Sequence, residues 1–516
     1  MLVNQLYNNT IIFSNSVNKL SRKKIGQFFT PPLVAKYMAS LMDYDRTTIR
    51  ILDPGAGTLM LTGAICQEII DNKFIQTVHI DLFETDEKVI SSLQKNMNLI
   101  RETLENKGKK LTYTIIQENF ILYHEYFWKD IDQSGIELYD LVICNPPYKK
   151  IGKSDEEALV MSSIVHGQPN IYFLFMALSA KLLKKDGQLI FITPRSFTSG
   201  AYFRKFREYF LNTVRVTNLH LFHSRDDVFD SDKVLQEAII LKAVKSTQNT
   251  DTILISSSDN TRMDENTIHE VPYETVVNMQ SDNLFIMIPT TENEVNLLNT
   301  MRAWKYNLPS LGFKLKTGPV VDFRATELLR EEAEENTVPL LWANHFSDNK
   351  INFPVPSSKN PQYIVNTSES QRLLLDSDDY IIVKRFTSKE EKRRVQCALY
   401  LAENFTSDVV GIENHLNYVT KLKGKMTKEE LYGIFALLNS TVIDTYYRIL
   451  NGSTQVNATE ANAIPLPPSQ DIQKIGKTLL KMDSFSTETC DKIIEDLFIT
   501  KDMHTTSIIK GVLKDE

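Results

Sequence analysis

Short apolar strands alternate with turns and helices through the first half of the chain, and this order limits the fold more than any other feature. Residues 49–53 are a predicted apolar strand, residues 54–58 a tight glycine turn, and residues 59–70 a predicted helix with an apolar inner face. A strand, a glycine turn and a helix form the first crossover unit of an open parallel sheet. Further strands are predicted at residues 78–84, 113–117, 140–144, 188–193 and 235–244. We therefore expect an α/β domain that binds its ligand at the carboxyl ends of these strands.

The strict alternation stops near residue 250, and the second half of the chain has a different composition. Segments rich in Asn, Ser, Thr and Pro appear there, for example at residues 349–367. A chain of 516 residues is long enough for two or three domains of roughly 100–200 residues each. We expect a first domain over residues 1–250 and a mixed α+β domain over residues 251–516, with the boundary between residues 245 and 295.

The composition is that of an ordinary globular protein, with 42% apolar and 24% charged residues. The longest nearly uncharged apolar stretch, residues 171–178, is too short for a bilayer span, which needs about 20 residues. Cys66, Cys144, Cys397 and Cys490 lie far apart, and the nine histidines show no ligand pairing. We expect a cytoplasmic protein with reduced thiols, no membrane segment and no metal ion.

The predicted strand at residues 140–144 ends in Asn145-Pro146-Pro147-Tyr148. The two prolines fix φ and remove two backbone donors, so the Pro146 carbonyl is held rigidly beside the side-chain carbonyl of Asn145. A flat heterocycle with an exocyclic amine fits this corner, because the amine can donate to both oxygens while the ring stacks on Tyr148. The alternative interpretation is a turn that merely ends the strand.

Polar residues also follow the second and third predicted strands. Glu84 could accept both hydroxyls of a ribose, or it could cap the helix that starts near Asp86. Asn119 could hydrogen-bond an adenine amine while Phe120 packs on the adenine ring. Together with the glycine turn, these residues favour a cofactor that contains adenosine.

The order of these motifs resembles that of the gamma-class DNA adenine-N6 methyltransferases, in which a Thr-Pro motif precedes the glycine turn and a target-recognition domain follows the catalytic one. The resemblance covers about residues 20–245 and includes the segment Gly26–Pro32. It implies a Rossmann-like class I methyltransferase sheet with helices on both faces. It also implies S-adenosylmethionine as cofactor and double-stranded DNA as partner. Such enzymes act beside a separate restriction endonuclease or alone.

The resemblance assigns roles residue by residue. It implies cofactor contacts by Thr30 at the methionine end, by the loop residues Asp53, Gly55, Ala56 and Gly57, by Glu84 at the ribose, by Asn119 and Phe120 at the adenine, and by Asn145. It implies a catalytic tetrad of Asn145, Pro146, Pro147 and Tyr148, with Tyr148 and Phe229 stacking on a flipped base.

Two positions depart from the family pattern. Leu59 stands where the family usually has a further glycine, so we expect the loop backbone to pack differently there. Asn119 stands where the family commonly has Asp. It keeps an acceptor oxygen but loses a charge, so we expect weaker cofactor binding.

The second half resembles the recognition domains attached to the same family, with less specific motifs, and residues 428–450 have the pattern of one amphipathic helix. The net charge of −7 means that DNA would have to meet a locally basic surface. Candidate phosphate or guanine contacts are Arg324, Lys384, Arg385, Arg393 and Arg394, and candidate base-edge contacts are Asn414, His415 and Gln455. For each of them an ordinary surface or loop role is the alternative.

Three other functions are compatible with parts of the pattern. A cytosine-N4 methyltransferase uses the same amine chemistry, although its tetrad more often begins with Ser, so Asn145 favours adenine. A protein-glutamine methyltransferase also carries Asn-Pro-Pro-Tyr, but it is a short protein. A catalytically inactive DNA-binding module is disfavoured by the intact motifs at residues 55–57 and 145–148.

Overall fold

The structure is a computed structural model that describes residues 2–16, 30–223, 237–246, 251–259, 263, 267–347, 349–356, 358–387 and 391–499. The chain divides into two compact units, Met1–Thr290 and Thr291–Glu516. The division lies 40 residues beyond position 250, where the sequence pattern changes, and inside the interval from 245 to 295. Two further strands that continue the first sheet account for the difference.

A nine-stranded sheet with the order β3-β2-β1-β4-β5-β7-β6-β8-β9 forms the centre of the first unit. The strands β1 to β5 run parallel, and β7 is antiparallel to both of its neighbours, β5 and β6. The strands are β1 (Thr48–Asp53), β2 (Thr77–Phe83), β3 (Lys110–Ile116), β4 (Tyr139–Cys144), β5 (Leu183–Pro194), β6 (Arg215–Phe222), β7 (Ala238–Val244), β8 (Thr252–Ser258) and β9 (Thr267–Pro272). The α/β prediction is confirmed.

The strand order reverses at β1. Its neighbour on the other side is β4, although β2 and β3 lie between the two in sequence. Every residue of β4 is buried, in keeping with a central parallel strand covered on both faces. A cleft opens at the carboxyl ends of the strands at such a switch point, and ligands of α/β proteins bind there. The loops after β1 and β4 therefore meet at one edge of the sheet.

Helices of the first unit cover this sheet. The buried residues of the first four helices share one apolar core with β1, β2 and β4. They are α1 (Leu2–Ser16), α2 (Pro32–Ser40), α3 (Met60–Asp71), α4 (Glu87–Glu105), α5 (Phe120–Tyr123), α6 (Glu125–Trp128), α7 (Glu156–Val160), α8 (Ile171–Lys181), α9 (Arg204–Thr213) and α10 (Tyr273–Val276). None of the described helices, in either unit, is long and apolar enough to cross a membrane.

Two sheets and a set of helices form the second unit. One sheet has six strands in the order β10-β20-β17-β18-β14-β13, and the other has five in the order β11-β15-β12-β19-β16. The strands are β10 (Phe313–Thr317), β11 (Leu329–Arg330), β12 (Thr337–Leu341), β13 (Phe346–Ser347), β14 (Lys350–Ile351), β15 (Tyr363–Val365), β16 (Leu374–Asp376), β17 (Tyr380–Lys384), β18 (Cys397–Tyr400), β19 (Val409–Ile412) and β20 (Leu416–Lys421). The helices are α11 (Glu292–Met301), α12 (Lys428–Leu438), α13 (Thr441–Leu450), α14 (Ala458–Asn462), α15 (Ser469–Leu479) and α16 (Thr487–Ile499).

The prediction of one helix over residues 428–450 is wrong, because the chain breaks it at Asn439 and Ser440 into α12 and α13. The Ser440 hydroxyl accepts a hydrogen bond from the backbone N–H of Ile443 at 3.3 Å and so caps the start of α13. Serine at such a position offers the backbone an alternative to continued helix. The apolar spacing continues across the break, which is why the pattern alone suggested one helix.

Candidate active site

A cavity of about 310 Å³ lies at the carboxyl ends of β1 to β4, within the first unit. Each of these four strands is followed by a loop that contributes polar residues to its wall. The lining includes Thr30, Asp53, Gly55, Ala56, Gly57, Glu84, Asp86, Glu118, Asn119, Phe120, Asn145, Pro147, Lys149 and Glu157. The sheet topology thus brings together predicted site residues that lie far apart in sequence.

The turn between β1 and α3 brings the backbone close to the cavity. Gly57 has φ +50°, and Leu59, which is fully buried, has φ +69° and ψ 29°. Both lie in the left-handed region, which glycine enters without steric cost and other residues rarely enter. Leucine therefore takes a backbone conformation that normally favours glycine.

Glu84 lines the cavity with its carboxylate held by the backbone. Its Oε2 accepts a hydrogen bond from the Gly57 N–H at 3.0 Å, and its Oε1 accepts one from the Asp86 N–H at 2.8 Å. The cap of α4 is Asp86 itself, whose side chain accepts from the Lys88 N–H at 3.0 Å. Burial raises the pKa of Glu84. The carboxylate is thus fixed in place, and each oxygen retains lone-pair capacity for a ligand hydroxyl.

Asp53 ends β1 and is buried beneath the glycine turn. Its Oδ2 accepts a hydrogen bond from the Thr62 hydroxyl at 2.8 Å, and its Oδ1 lies 3.4 Å from the Gly55 N–H. Burial raises the pKa of Asp53 to about 7, and the negative charge of Glu84 adds to the increase. The two neighbouring carboxyls make this part of the cavity attractive to a positively charged group.

Asn119 takes a different role from the predicted one. Its Oδ1 accepts hydrogen bonds from the N–H groups of Ile121 and Leu122, at 3.0 and 3.2 Å, and thereby caps α5. Its Nδ2 donates to Glu157 Oε1 at 2.7 Å. The carbonyl oxygen uses both lone pairs on the helix, so the prediction that it accepts from an adenine amine does not fit this geometry. Phe120 is buried, with its ring 5.2 Å from that of Phe83, and forms part of the wall.

The corner after β4 lies beside the same cavity. The Asn145 Nδ2 donates to the Thr30 hydroxyl oxygen at 3.1 Å, across 115 residues of sequence, and this bond orients the amide. The Tyr148 hydroxyl donates to the Ile192 carbonyl at 3.1 Å and holds the ring of this half-buried residue. Thr30, Asn145 and Pro147 all line the cavity. Phe229 and residues 26–29 of the Gly26–Pro32 segment lie outside the described residues.

Comparison with known proteins identifies the family of this chain. A sequence profile described as the Eco57I restriction-modification methylase matches residues 41–229. The chain is 35% identical over 492 residues to the type II methyltransferase M.BsuBI of Bacillus subtilis, covering 94% of this chain and 96% of that relative. It is 32% identical over 485 residues to the type II methyltransferase M.PstI of Providencia stuartii, covering 93% and 94%. The chain belongs to the type II methyltransferases of restriction-modification systems.

A solved structure extends the likeness to this methyltransferase's second unit. The type IIL restriction-modification enzyme MmeI, solved in complex with DNA, is 11% identical and matches with a TM-score of 0.52. The match covers 99% of this chain and 76% of MmeI. At this identity the match supports the fold alone.

Four of the predicted DNA contacts of the methyltransferase come together in the second unit. Arg385 Nη1 donates to the Asn414 carbonyl at 3.0 Å, and the backbone of Phe386 pairs with that of Gln455. The rings of Phe386 and His415 lie 5.0 Å apart. His415 is oriented by a buried carboxylate, since its Nδ1 lies 2.7 Å from Glu413 Oε1 and its backbone N–H donates to Oε2.

Arg324 lies at an exposed turn that connects to this group. The turn Asp322–Arg324 follows Val320, whose carbonyl accepts from the Asn414 N–H at 2.8 Å. Its neighbour Phe323 is 72% exposed, and the Arg324 guanidinium lies 5.4 Å from the centre of the Phe323 ring. We call the combined set the polar-aromatic surface, which comprises Phe323, Arg324, Arg385, Phe386, Asn414, His415 and Gln455.

Three other predicted DNA contacts have partners within the second unit. Arg394 is 2% exposed, and its guanidinium donates to the carbonyls of Thr387 and Ser453. Arg393 Nη2 donates to the Ser440 carbonyl at 2.9 Å, and Lys384 Nζ donates to Gln396 Oε1 at 2.9 Å. The prediction for Arg394 is corrected, because a buried guanidinium that satisfies backbone carbonyls cannot reach DNA. Arg393 and Lys384 are half-buried and hydrogen-bonded within the second unit, and their contact with DNA stays a prediction.

Sequence reasoning missed several residues of these sites. Glu157 lies on a short helix with no motif around it, and Phe323 and Phe386 were not distinguished from core aromatics. Outside both sites, Arg195 and Glu237 form a buried ion pair, with 2.9 Å between Nη1 and Oε2, that ties the end of β5 to the residue before β7. The adjacency of Phe323 to Arg324, and of Phe386 to Arg385, was the available signal. Within the described residues, no three His, Cys, Asp or Glu side chains cluster in a way that could hold a metal ion.

Proposed function

We propose that this restriction-modification methyltransferase transfers a methyl group to the exocyclic N6 of an adenine that is flipped out of double-stranded DNA. One observation carries the proposal. The Asn145–Tyr148 corner adjoins a cavity lined by the glycine turn and Glu84, with the Asn145 amide oriented by Thr30. The methyl acceptor and a nucleoside-containing donor can therefore meet at one edge of the sheet.

The cavity fits S-adenosylmethionine by the chemistry of its donor set. When bound, this cofactor supplies a methyl group activated on a positively charged sulfonium. Glu84, fixed by two backbone N–H groups, is suited to accept ribose hydroxyls. Burial raises the pKa of Asp53 to about 7 and also raises that of Glu84, and a cationic ligand beside these carboxyls would stabilise their ionised forms. Gly57 allows the backbone to approach the ligand closely.

The corner after β4 activates the amine. The adenine amine is a poor nucleophile because its lone pair is delocalised into the purine. The side-chain oxygen of Asn145 and the backbone carbonyl of Pro146 accept its two hydrogens and favour a pyramidal nitrogen, which frees the lone pair for attack. Stabilisation of this geometry in the transition state, together with positioning, accelerates the reaction. The methylated amine then loses its extra proton to solvent, so no strong base is required.

The extruded base is held by stacking. The ring of Tyr148, anchored through its hydroxyl at the Ile192 carbonyl, provides one aromatic face, and Phe229 is proposed as the second. Stacking offsets an unpairing cost of about a few kcal/mol. We assign DNA contacts in the second unit to the polar-aromatic surface, because aromatic rings beside arginine, asparagine and histidine can serve both bases and phosphates. In the cell, this methyltransferase would protect DNA from a separate restriction endonuclease.

The experiment is to incubate the purified protein with DNA and a cofactor carrying an isotope-labelled methyl group, and to analyse the digested nucleosides by mass spectrometry. We expect the label in N6-methyladenine. Label in N4-methylcytosine, or no label in any nucleoside, would overturn the proposal. Modified-base sequencing of the same DNA would give the recognised sequence.

A further inference from the structure

Glu157 is a carboxylate in the cavity wall that no sequence motif marks. It lies on α7, half-buried, and lines the cavity together with Asn119. Its Oε1 accepts a hydrogen bond from Asn119 Nδ2 at 2.7 Å. Among the described residues, no protein donor bonds its other oxygen, Oε2. A carboxylate oxygen therefore remains for a ligand.

The orientation of Asn119 fixes which atom of Glu157 is engaged. Two backbone N–H groups, of Ile121 and Leu122, point at one end of the Asn119 amide, and only an oxygen can accept from both. The amide nitrogen must then face Glu157. Asn119 is consequently a donor toward the cavity wall, and it holds the carboxylate of Glu157 rather than a ligand amine.

The sheet order locates the adenine relative to these groups. The strands lie in the order β3-β2-β1-β4, with Asn119 after β3, Glu84 after β2 and Asn145 after β4. The ribose of S-adenosylmethionine joins the adenine to the methionine end. With the ribose at Glu84 and the methyl group at Asn145, the adenine must lie on the side of β3, where Asn119 and Glu157 meet.

We propose that Glu157 accepts a hydrogen bond from the exocyclic amine of the cofactor's adenine, with Asn119 as the residue that positions its carboxylate. The inference rests on the proposed function. An ionised carboxylate can only accept hydrogen bonds, so it selects an amine and disfavours a carbonyl oxygen at the same ring position.

The test compares two ligands that differ at this edge of the purine. S-adenosylhomocysteine carries the amine beside an N1 that accepts hydrogen bonds, and S-inosylhomocysteine carries a carbonyl oxygen beside an N1–H. Isothermal titration calorimetry would measure the binding of both to the wild-type protein and to the variants Glu157→Ala, Glu157→Gln and Glu156→Ala. Glu156 is the matched control, because it is an adjacent exposed carboxylate outside the cavity lining.

We expect the wild-type protein and Glu156→Ala to prefer the adenosyl ligand by roughly 10- to 100-fold, which is the range for a hydrogen bond to a charged group. Glu157→Ala should lose most of that preference. Glu157→Gln should reverse it, because its Oε1 still accepts from Asn119 and an NH₂ group then occupies the position of Oε2. A general loss of folding would weaken both ligands equally and leave the ratio unchanged.

An unchanged ratio in both Glu157 variants, with urea unfolding midpoints equal to that of the wild-type protein, would overturn the inference while leaving the proposed function intact. If the wild-type protein binds neither ligand, the proposed function itself fails, and the inference fails with it. The binding measurement needs no DNA, so defects in DNA recognition do not affect the result.

Discussion

Individual polar side chains of the site are oriented by partners that lie far away in the sequence. Asn145 is held by Thr30, Glu84 by the N–H of Gly57, and Glu157 by Asn119. The residue types could be read from the motifs, because strand ends and the Asn-Pro-Pro-Tyr segment are local features. The directions of the amide and carboxylate groups could not, because they depend on which loops the sheet brings together.

The buried carboxyl of Asp53 makes stability depend on pH in a definite direction. Its pKa in the folded state is about 7 and its ordinary value is 3.8. As pH rises from 3.8 toward 7, the unfolded chain releases this proton while the folded protein retains it. The free energy of unfolding of the ligand-free protein should therefore fall with a slope of up to about 1.4 kcal/mol per pH unit in this window, and Asp53 should add no further slope above it.

Asp53→Asn isolates this contribution, because the other titrating groups are common to both proteins and cancel in the comparison. Urea unfolding from pH 5 to pH 8 should show the wild-type protein losing about 2 to 3 kcal/mol relative to Asp53→Asn, with the change complete near neutral pH. A stability difference that is constant over this range would show that Asp53 titrates near its ordinary value in the folded protein.

The elements that carry the site were predictable to different degrees. The strands β1 to β5 and the glycine turn follow from apolar runs bounded by turn residues, and the structure confirms the parallel arrangement. The continuation of the sheet into β8 and β9 was not visible, because these strands follow a composition typical of loops. Ser440 caps a new helix inside a continuous apolar pattern. The spacing of the apolar residues is the same on both sides of the cap, so the spacing alone does not reveal the break.

The backbone conformation of Leu59, the residue before α3, leads to a prediction about the stability of its variants. With φ +69°, an alanine at this position keeps the steric cost of the left-handed backbone, whereas a glycine does not. Both variants lose the buried leucine side chain, so both should be less stable than the wild-type protein. Leu59→Gly should nevertheless be more stable than Leu59→Ala by about 1 kcal/mol, as measured by urea unfolding.

The matched comparison is Ile65→Gly against Ile65→Ala, at a buried position in the interior of α3. At that site the alanine variant should be the more stable one, because glycine costs about 1 kcal/mol in a helix interior. If the alanine variant were the more stable one at position 59 as well, this would contradict a left-handed conformation at Leu59.

For the whole molecule, a net charge of −7 must be reconciled with a polyanionic partner. The polar-aromatic surface supplies local positive charge through Arg324 and Arg385 and exposed rings through Phe323 and Phe386. Which cations are available could not be read from the sequence, since Arg394 belongs to an apparent basic cluster but is buried and donates to backbone carbonyls. Burial excludes Arg394 alone, because Arg393 is half-buried like Arg385.

Substitutions at the Phe323–Arg324 turn test this surface. Phe323→Ala and Arg324→Ala should each weaken DNA binding about 10-fold, through lost stacking and lost phosphate attraction respectively. Arg324→Ala should also reduce the slope of log K against log salt by about 1. Fluorescence anisotropy with labelled duplex DNA measures both quantities, and S-adenosylhomocysteine binding should be unchanged.

Arg372→Ala is the control for this pair, because Arg372 is also exposed in a short helical turn of the second unit but belongs to none of the contacts of the polar-aromatic surface. Affinity and salt slope that stay unchanged in both turn variants, or an equal effect of Arg372→Ala, would show that DNA does not contact this surface specifically.

The proposed role of the Asn145–Tyr148 corner is to activate a flipped base for methyl transfer, and Asn145→Ala removes one of its two acceptor oxygens. The measurement is a single-turnover transfer of labelled methyl groups to DNA at saturating protein and cofactor, with DNA and S-adenosylhomocysteine affinities measured on the same preparation. We predict that transfer falls by at least about 100-fold, in line with the loss of a transition-state hydrogen-bond partner, while both affinities stay within about 3-fold. Transfer at the wild-type rate by Asn145→Ala would contradict a role of this corner in catalysis.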